Sequence, residues 1–283
     1  MIDTIKFSIP HDGNLIEDIR RKGSRIQKVD SVGLTDELKV SDVISIPPYN
    51  RNVQLYLRDM PFGDPSLFLE YSIPKICYGT NAYLFILEDL PKMLGHLTHE
   101  LNNRYLNFPV PSTWSVQRLD ICHFWKFTSR EIAQRHLDFI KYLDYPRKNK
   151  HIYRTTAMFS GRNFTARFYL KLPEYLKTDY KSLIREFPEM AEEVKIFCIG
   201  MLRFEVEIRK PELKRIYGRE VMYKDLLNKD FYSTQLNYYL SKFNFPKYDP
   251  TLKKYDRFKK MFSVSVETMR LNQGHKPVIQ AEL

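Results

Sequence analysis

A chain of 283 residues with 43% hydrophobic and 14% aromatic residues can bury one large core or two moderate ones, which excludes a disordered protein. A net charge of +11 favours polyanionic partners, because each phosphate met by Lys or Arg releases condensed counterions. The longest apolar stretches, such as Ala82–Leu87, are far too short to span a bilayer, the first residues lack a signal-peptide pattern, and Cys77, Cys122 and Cys198 lack metal-ligand spacing, so a reduced, cytoplasmic protein without a membrane partner is expected.

Ile5, Phe7 and Ile9 alternate in an opening strand that Pro10 and His11-Asp12-Gly13 close. Two further strands are expected over Val53–Arg58 and Leu67–Ile73, joined by a turn rich in Pro, Gly and Asp. Leu90, Met93, Leu94, Leu97, Leu101 and Tyr105 recur at helical spacing and predict one apolar stripe. Ser115–Trp125 reads as a strand, and Ser129 as the N-cap of a helix carrying Ile132, Ala133, His136, Ile140 and Leu143. Thr155–Phe159 and Phe164–Lys171 form a hairpin around Ser160-Gly161-Arg162-Asn163. A helix over about 181–196 leads to the strand Met201–Arg209, and from Tyr217 the chain looks helical.

This order, strand-strand-helix-strand and then the same again, predicts an α+β fold of two related modules with antiparallel sheets, plus a helical C-terminal part. The modules cover roughly residues 1–125 and 126–218 of a domain over 1–245, with a basic tail over 246–283.

Side chains alternate across a strand, so three of these strands each present one polar face. On the first, Arg118 and Asp120 oppose Leu119 and Ile121. On the second, Arg167, Tyr169 and Lys171 oppose Phe168 and Leu170. On the third, Arg203, Glu205, Glu207 and Arg209 oppose Phe204, Val206 and Ile208. In one sheet these faces would gather carboxylates, cations and a tyrosine. Asp120 and Glu205 would repel each other without a cation or proton between them, and their hard oxygens suit Mg²⁺ or Mn²⁺.

Two basic clusters are interleaved with aromatics, as binding of single-stranded nucleic acid requires. One is Arg147-Lys148-Asn149-Lys150 with Arg154, beside Tyr145 and Tyr153; the other is Lys253, Lys254, Arg257, Lys259 and Lys260, around Tyr255 and Phe258. Surface histidines are expected at His96 and His99, and core positions at His123 and Tyr238-Tyr239. No Gly-rich phosphate loop points to ATP hydrolysis.

Several short motifs, in order over about the first 218 residues, resemble the filamentous-phage gene II/X replication-protein family and, more distantly, plasmid rolling-circle initiators of the Rep-trans type. They are Met1-Ile2-Asp3, Ser72-Ile73-Pro74-Lys75, Tyr78-Gly79-Thr80-Asn81 and Arg118-Leu119-Asp120. Tyr169-Leu170-Lys171-Leu172-Pro173-Glu174 and Leu202-Arg203-Phe204-Glu205 come next, and beyond them Leu213 and Tyr217-Gly218. Leu172 stands where filamentous-phage members can carry a histidine.

The resemblance implies a rolling-circle initiator that nicks and rejoins DNA through a 5′-phosphotyrosyl bond on Tyr169. Lys171 and a metal are its candidates for favouring the phenolate, and Arg118 or Arg203 for stabilising charge on the transferring phosphate. Asp120, Glu205 and Glu174 are the candidate metal ligands for Mg²⁺ or Mn²⁺. Arg147, Lys148, Lys150, Arg154, Arg167, Lys253, Lys254 and Arg257 are candidate DNA contacts. The implied partners are origin DNA, double- and single-stranded, a host helicase and polymerase, and a second copy of the chain. A non-catalytic origin-binding regulator and a nuclease using water as nucleophile stand as alternatives.

Overall fold

The computed structural model describes residues 1–28, 37–58 and 64–244. Strand β1 (Ile2–Ile9) buries Ile5, Phe7 and Ile9 as the alternation predicts. Helix α1 (Gly13–Lys22) starts at Asp12, whose carboxylate accepts the Leu15 N–H at 2.8 Å. It ends on Arg20, Arg21 and Lys22, which suit the negative end of the helix dipole. Strands β2 (Ser24–Lys28), β3 (Glu37–Ile46), β4 (Arg51–Arg58) and β5 (Ser66–Ser72) come next. Of these, α1, β2 and β3 have no counterpart among the expected elements.

Ile73 belongs not to β5 but to helix α2 (Ile73–Tyr78), because Pro74 in the first turn has the φ a helix start needs. The apolar stripe forms helix α3 (Leu90–Arg104), with Leu90, Met93, Leu94, Leu97 and Leu101 buried. Strand β6 (Ser115–Lys126) leads to helix α4 (Arg130–Ile140), where Ser129 caps the Ile132 N–H at 3.3 Å as expected. Strands β7 (Asn149–Tyr153), β8 (Thr156–Ser160) and β9 (Phe164–Leu170) succeed it.

The single helix expected over about 181–196 is instead two, α6 (Tyr180–Glu186) and α7 (Pro188–Cys198), and a further helix, α5 (Lys171–Thr178), precedes them. Pro188 lacks the N–H that a continuous helix would need there and opens α7 as its first residue. Lys171 is therefore the first residue of α5, and not the last of a strand. Strand β10 (Met201–Arg209) matches its expected span, and helix α8 (Lys210–Tyr217) begins before the expected helical region, with α9 (Lys229–Leu240) after it.

All ten described strands join one antiparallel sheet, ordered β2-β3-β4-β5-β1-β6-β10-β9-β8-β7. The two strand-strand-helix-strand runs, β4-β5-α3-β6 and β8-β9-(α5–α7)-β10, are halves of this sheet and meet where β6 pairs with β10. Strand β1 is inserted between β5 and β6. The apolar strand faces, including Leu119, Phe168, Phe204, Val206 and Ile208, form the main core with residues of α1, α3, α4, α8 and α9. A smaller cluster of Tyr49, Tyr83, Tyr175, Leu183, Met190, Val194 and Cys198 holds α5, α6 and α7 together. The polar faces of β6, β10 and β9 lie on the side away from the main core.

Candidate active site

Because β6, β10 and β9 are consecutive neighbours, the three polar faces meet. Asp120 pairs in register with Glu207, Cys122 with Glu205, Glu205 with Arg167 and Arg203 with Tyr169. They form the wall of a cavity of about 600 Å³ lined by Asp120, Arg118, Arg167, Tyr169, Glu174 and Glu205, with Asp3, Asn81 and Lys75 beside them.

Tyr169 is only 6% exposed, and its hydroxyl donates to Glu205 Oε2 at 2.8 Å. Burial raises its phenol well above the usual tyrosine value; Arg203 opposes this and the Glu205 charge adds to it. The resting tyrosine is thus protonated and aimed at a carboxylate. Glu205 Oε1 accepts from Arg167 Nε at 3.0 Å, and the same guanidinium lies 3.7 Å from Asp120 Oδ2. Arg118 grips Asp120 with two hydrogen bonds, Nε to Oδ1 at 2.8 Å and a terminal nitrogen to Oδ2 at 2.5 Å, and reaches Glu70 at 3.1 Å. Even so, burial pushes the Asp120 carboxyl up to about 7; Arg118 pulls it back and the Glu205 charge raises it further.

Behind this wall lies a buried network. Arg203, fully buried, donates to Asp3 Oδ2 at 2.7 Å, to Cys122 Sγ at 3.0 Å and to the Asn81 carbonyl, with Nε 3.7 Å from Glu205. Asn81 Nδ2 donates to Asp3 at 3.1 Å, and Ser72 to Asp3 at 2.9 Å. Burial works to raise the Asp3 carboxyl, but Arg203 foremost, then Lys171, hold it below the usual range. Lys171, also fully buried, donates to Asn81 Oδ1 at 2.6 Å and to Glu174. It thus serves Asn81 and Glu174, and the cation nearest in effect to the Tyr169 phenol is Arg203.

Sequence reasoning does not single out Asp3 and Asn81 as site residues. A shift in register between Ile2 and Ile5 inserts an extra residue into β1 against β6, which turns Asp3 toward Arg203. The available signal is the position of both in motifs that carry the family resemblance.

The expected metal ligands Asp120, Glu205 and Glu174 line one cavity, but among the described residues no three His, Cys, Asp or Glu side chains form a group able to hold one ion. Asp120 and Glu205 do fit a divalent cation chemically: they are hard oxygen donors on one wall. Burial foremost, and then the Glu205 charge, raise the Asp120 carboxyl, so added positive charge in the cavity would favour its ionised form.

The expected DNA contacts separate. Arg167 is in the cavity wall, and Arg154 lines a second cavity. Lys148 instead lies over the Phe164 ring, 3.3 Å from its centroid, and its hydrogen bond goes to the Phe164 carbonyl, so it is held inward. Lys150 pairs with Asp144 at 3.3 Å, and Arg147 is exposed in a turn. Lys253, Lys254 and Arg257 lie outside the described residues. His123 is buried as expected; of the tyrosine pair, Tyr239 is buried but Tyr238 is 38% exposed. No helix among the described residues is long and apolar enough to cross a membrane.

Neither a curated protein nor a solved structure matches the chain. Residues 1–229, which carry every element of the site, match the model of the N-terminal part of the phage gene II replication-associated protein, and the chain belongs to that family.

Proposed function

We propose that the protein is a rolling-circle replication initiator that nicks one DNA strand with Tyr169 and later rejoins it. The observation that carries this is the Tyr169 hydroxyl held 2.8 Å from the Glu205 carboxylate, in a cavity walled by Arg118 and Arg167. Tyr169 Oη forms a bond to the scissile phosphorus, the P–O3′ bond breaks, and the 3′ oxygen leaves and takes a proton from water to become a hydroxyl. The 5′ phosphate stays on Tyr169, and its ester stores the energy for rejoining, while the free 3′ hydroxyl primes a host polymerase. Glu205 orients the phenol and receives its proton, which a buried tyrosine cannot shed unaided. Arg118 and Arg167 face the cavity and place positive charge where the phosphate gathers negative charge. Asp120 and Glu205 would hold the Mg²⁺ or Mn²⁺, which when bound adds Lewis-acid stabilisation of the same phosphate. Origin DNA is the substrate in this reading.

Tyr169→Phe removes one hydroxyl, so DNA affinity and folding should barely change. Nicking of supercoiled origin DNA and the covalent adduct on a denaturing gel should both vanish, and in the parent protein mass spectrometry should map a 5′-phosphotyrosyl peptide to Phe168–Lys171. Chelator should stop the reaction and Mg²⁺ or Mn²⁺ restore it, while Asp120→Asn should leave it at background. A Tyr169→Phe protein that still nicks would give the attack to water; parent protein that neither nicks nor forms an adduct would leave an origin-binding regulator.

A further inference from the structure

A nucleophile that is 6% exposed cannot be reached by a phosphate still inside a stiff duplex, so the strand must enter the cavity unpaired and its flanking nucleotides must leave over an edge. One edge is the tip of the β7–β8 hairpin. Thr156 is the register partner of Tyr169, the Thr155 carbonyl accepts the Leu170 N–H at 3.1 Å, and both threonines line the Tyr169 cavity. The preceding residue, Arg154, lines a second cavity, also about 600 Å³, that lies against α4. Consecutive residues of the tip, Arg154 and Thr155, thus line the two cavities, the second on the side of the sheet where α4 packs.

Helix α4 and the residue after it fix this tip: Lys141 Nζ donates to the Arg154 carbonyl at 2.9 Å and Gln134 to the same oxygen at 3.3 Å. The second cavity carries Arg130, Arg135, Lys141 and Arg154 against Glu131 and Asp138. Lys141 is paired with Asp138 at 2.7 Å, whereas among the described residues Arg130, Arg135 and Arg154 form no salt bridge. Next to these cations in the chain stand two outward aromatics, Tyr153 at 57% and Tyr142 at 70% exposure.

Resting on the nicking role of Tyr169, we propose that this second cleft is the seat of the single-stranded DNA flanking the scissile phosphate. Arg130, Arg135 and Arg154 contact its phosphates, and Tyr153 stacks one of its bases. Cations in a groove beside exposed rings are what an unpaired strand needs, since every base has a face to stack while its phosphates seek charge. The cleft extends the substrate path away from the bond that breaks and takes no part in breaking it.

The test is fluorescence anisotropy on the full chain, with a labelled oligothymidylate of about 20 nucleotides and a duplex of equal length, spanning more than one single-strand site size. The combined Arg130→Ala, Arg135→Ala and Arg154→Ala protein should bind the oligothymidylate about 10- to 100-fold more weakly, with its log-affinity against log-salt slope flatter by about 2. Tyr153→Ala should weaken it about tenfold with the slope unchanged. The duplex should lose less affinity in both variants. The exposed set Lys214→Ala, Lys224→Ala and Lys242→Ala removes the same charge elsewhere and should have little effect. Unchanged oligothymidylate affinity, an equal loss on the duplex, or an equal loss in the lysine control would each overturn the proposal. Circular dichroism checks that every variant is folded. Because the readout is binding and not cleavage, the cleft can fail while Tyr169→Phe still abolishes the adduct, and the reverse.

Discussion

His123 shows how a single residue can record the environment of this site. It lies on β6, fully buried, with its ring stacked on Phe124 and edge-on to Trp125, and neither ring nitrogen has a hydrogen-bond partner among the described residues. Burial first, then the amino terminus of Met1 and Arg203, push its pKa down to about 3. A histidine with a depressed folded pKa contributes stability that is complete above its unfolded pKa, near 6.5, and is lost as pH falls toward 3. The unfolded chain takes up this proton while the folded chain refuses it. His123→Leu should therefore flatten the acid limb of the stability curve by roughly 1.4 kcal/mol per pH unit below 6.5. At pH 7.5 the variant should be as stable as the parent or more so, because no partner is stranded when a ring without hydrogen bonds is replaced by an apolar side chain. Urea titrations between pH 4 and 7.5 measure both quantities. Parallel curves for the two proteins would mean that His123 is protonated in the folded state.

At the scale of elements, the placing of the site depends on where β10 begins. Gly200, immediately before it, has φ +71°, and an added Cβ would lie 2.3 Å from the Phe127 carbonyl oxygen, a backbone atom that accepts no displacement without moving the end of β6. Phe127 N–H in turn donates to the Gly200 carbonyl at 2.8 Å, tying the two strands together at this corner. Gly200→Ala should thus cost about 2 kcal/mol or more and lower the melting temperature by about 4 °C or more. Gly95, inside α3 with no atom within 4 Å of its would-be Cβ, should respond in the opposite sense, Gly95→Ala adding up to about 1 kcal/mol. Calorimetry on the two variants separates a general tolerance of alanine from the local clash.

Elements are legible in the sequence wherever a local period decides them. Alternation alone puts Asp120, Arg167, Tyr169 and Glu205 on polar strand faces, and the structure brings them together because β6, β10 and β9 are sheet neighbours. Continued one residue too far, across the start of α5, the same alternation misplaces Lys171. The helix break at Pro188 escapes a reading by apolar spacing, although proline chemistry signals it. Asp3 and Asn81 are not legible as site residues, since their partner Arg203 lies 200 and 122 positions away along the chain and only the assembled sheet brings them into contact.

For the whole molecule, charge is divided unevenly between the part that carries the site and the C-terminal segment beyond it. Residues 245–283, outside the described structure, hold eight Lys and Arg against four Asp and Glu, and so more than a third of the net +11 in about a seventh of the chain. Five of these basic residues, Lys253, Lys254, Arg257, Lys259 and Lys260, fall within eight positions, with Tyr255 and Phe258 among them. The family match ends at residue 229, so this cluster is additional to the part that carries Tyr169 and its neighbours. Charge of this kind acts on DNA through counterion release, which is insensitive to sequence and steep in salt. Replacing the five by glutamine in the full chain should therefore weaken binding to origin and random duplexes alike. The slope of log affinity against log salt should flatten by about 0.9 for each phosphate no longer neutralised. The rate of nicking at saturating DNA should stay as it was, because every group in the cavity precedes residue 229. Anisotropy titrations at several salt concentrations, beside a single-turnover nicking assay, separate these effects. An unchanged slope would show that the cluster touches no phosphate, and a fall in the saturated rate would place it in the reaction itself.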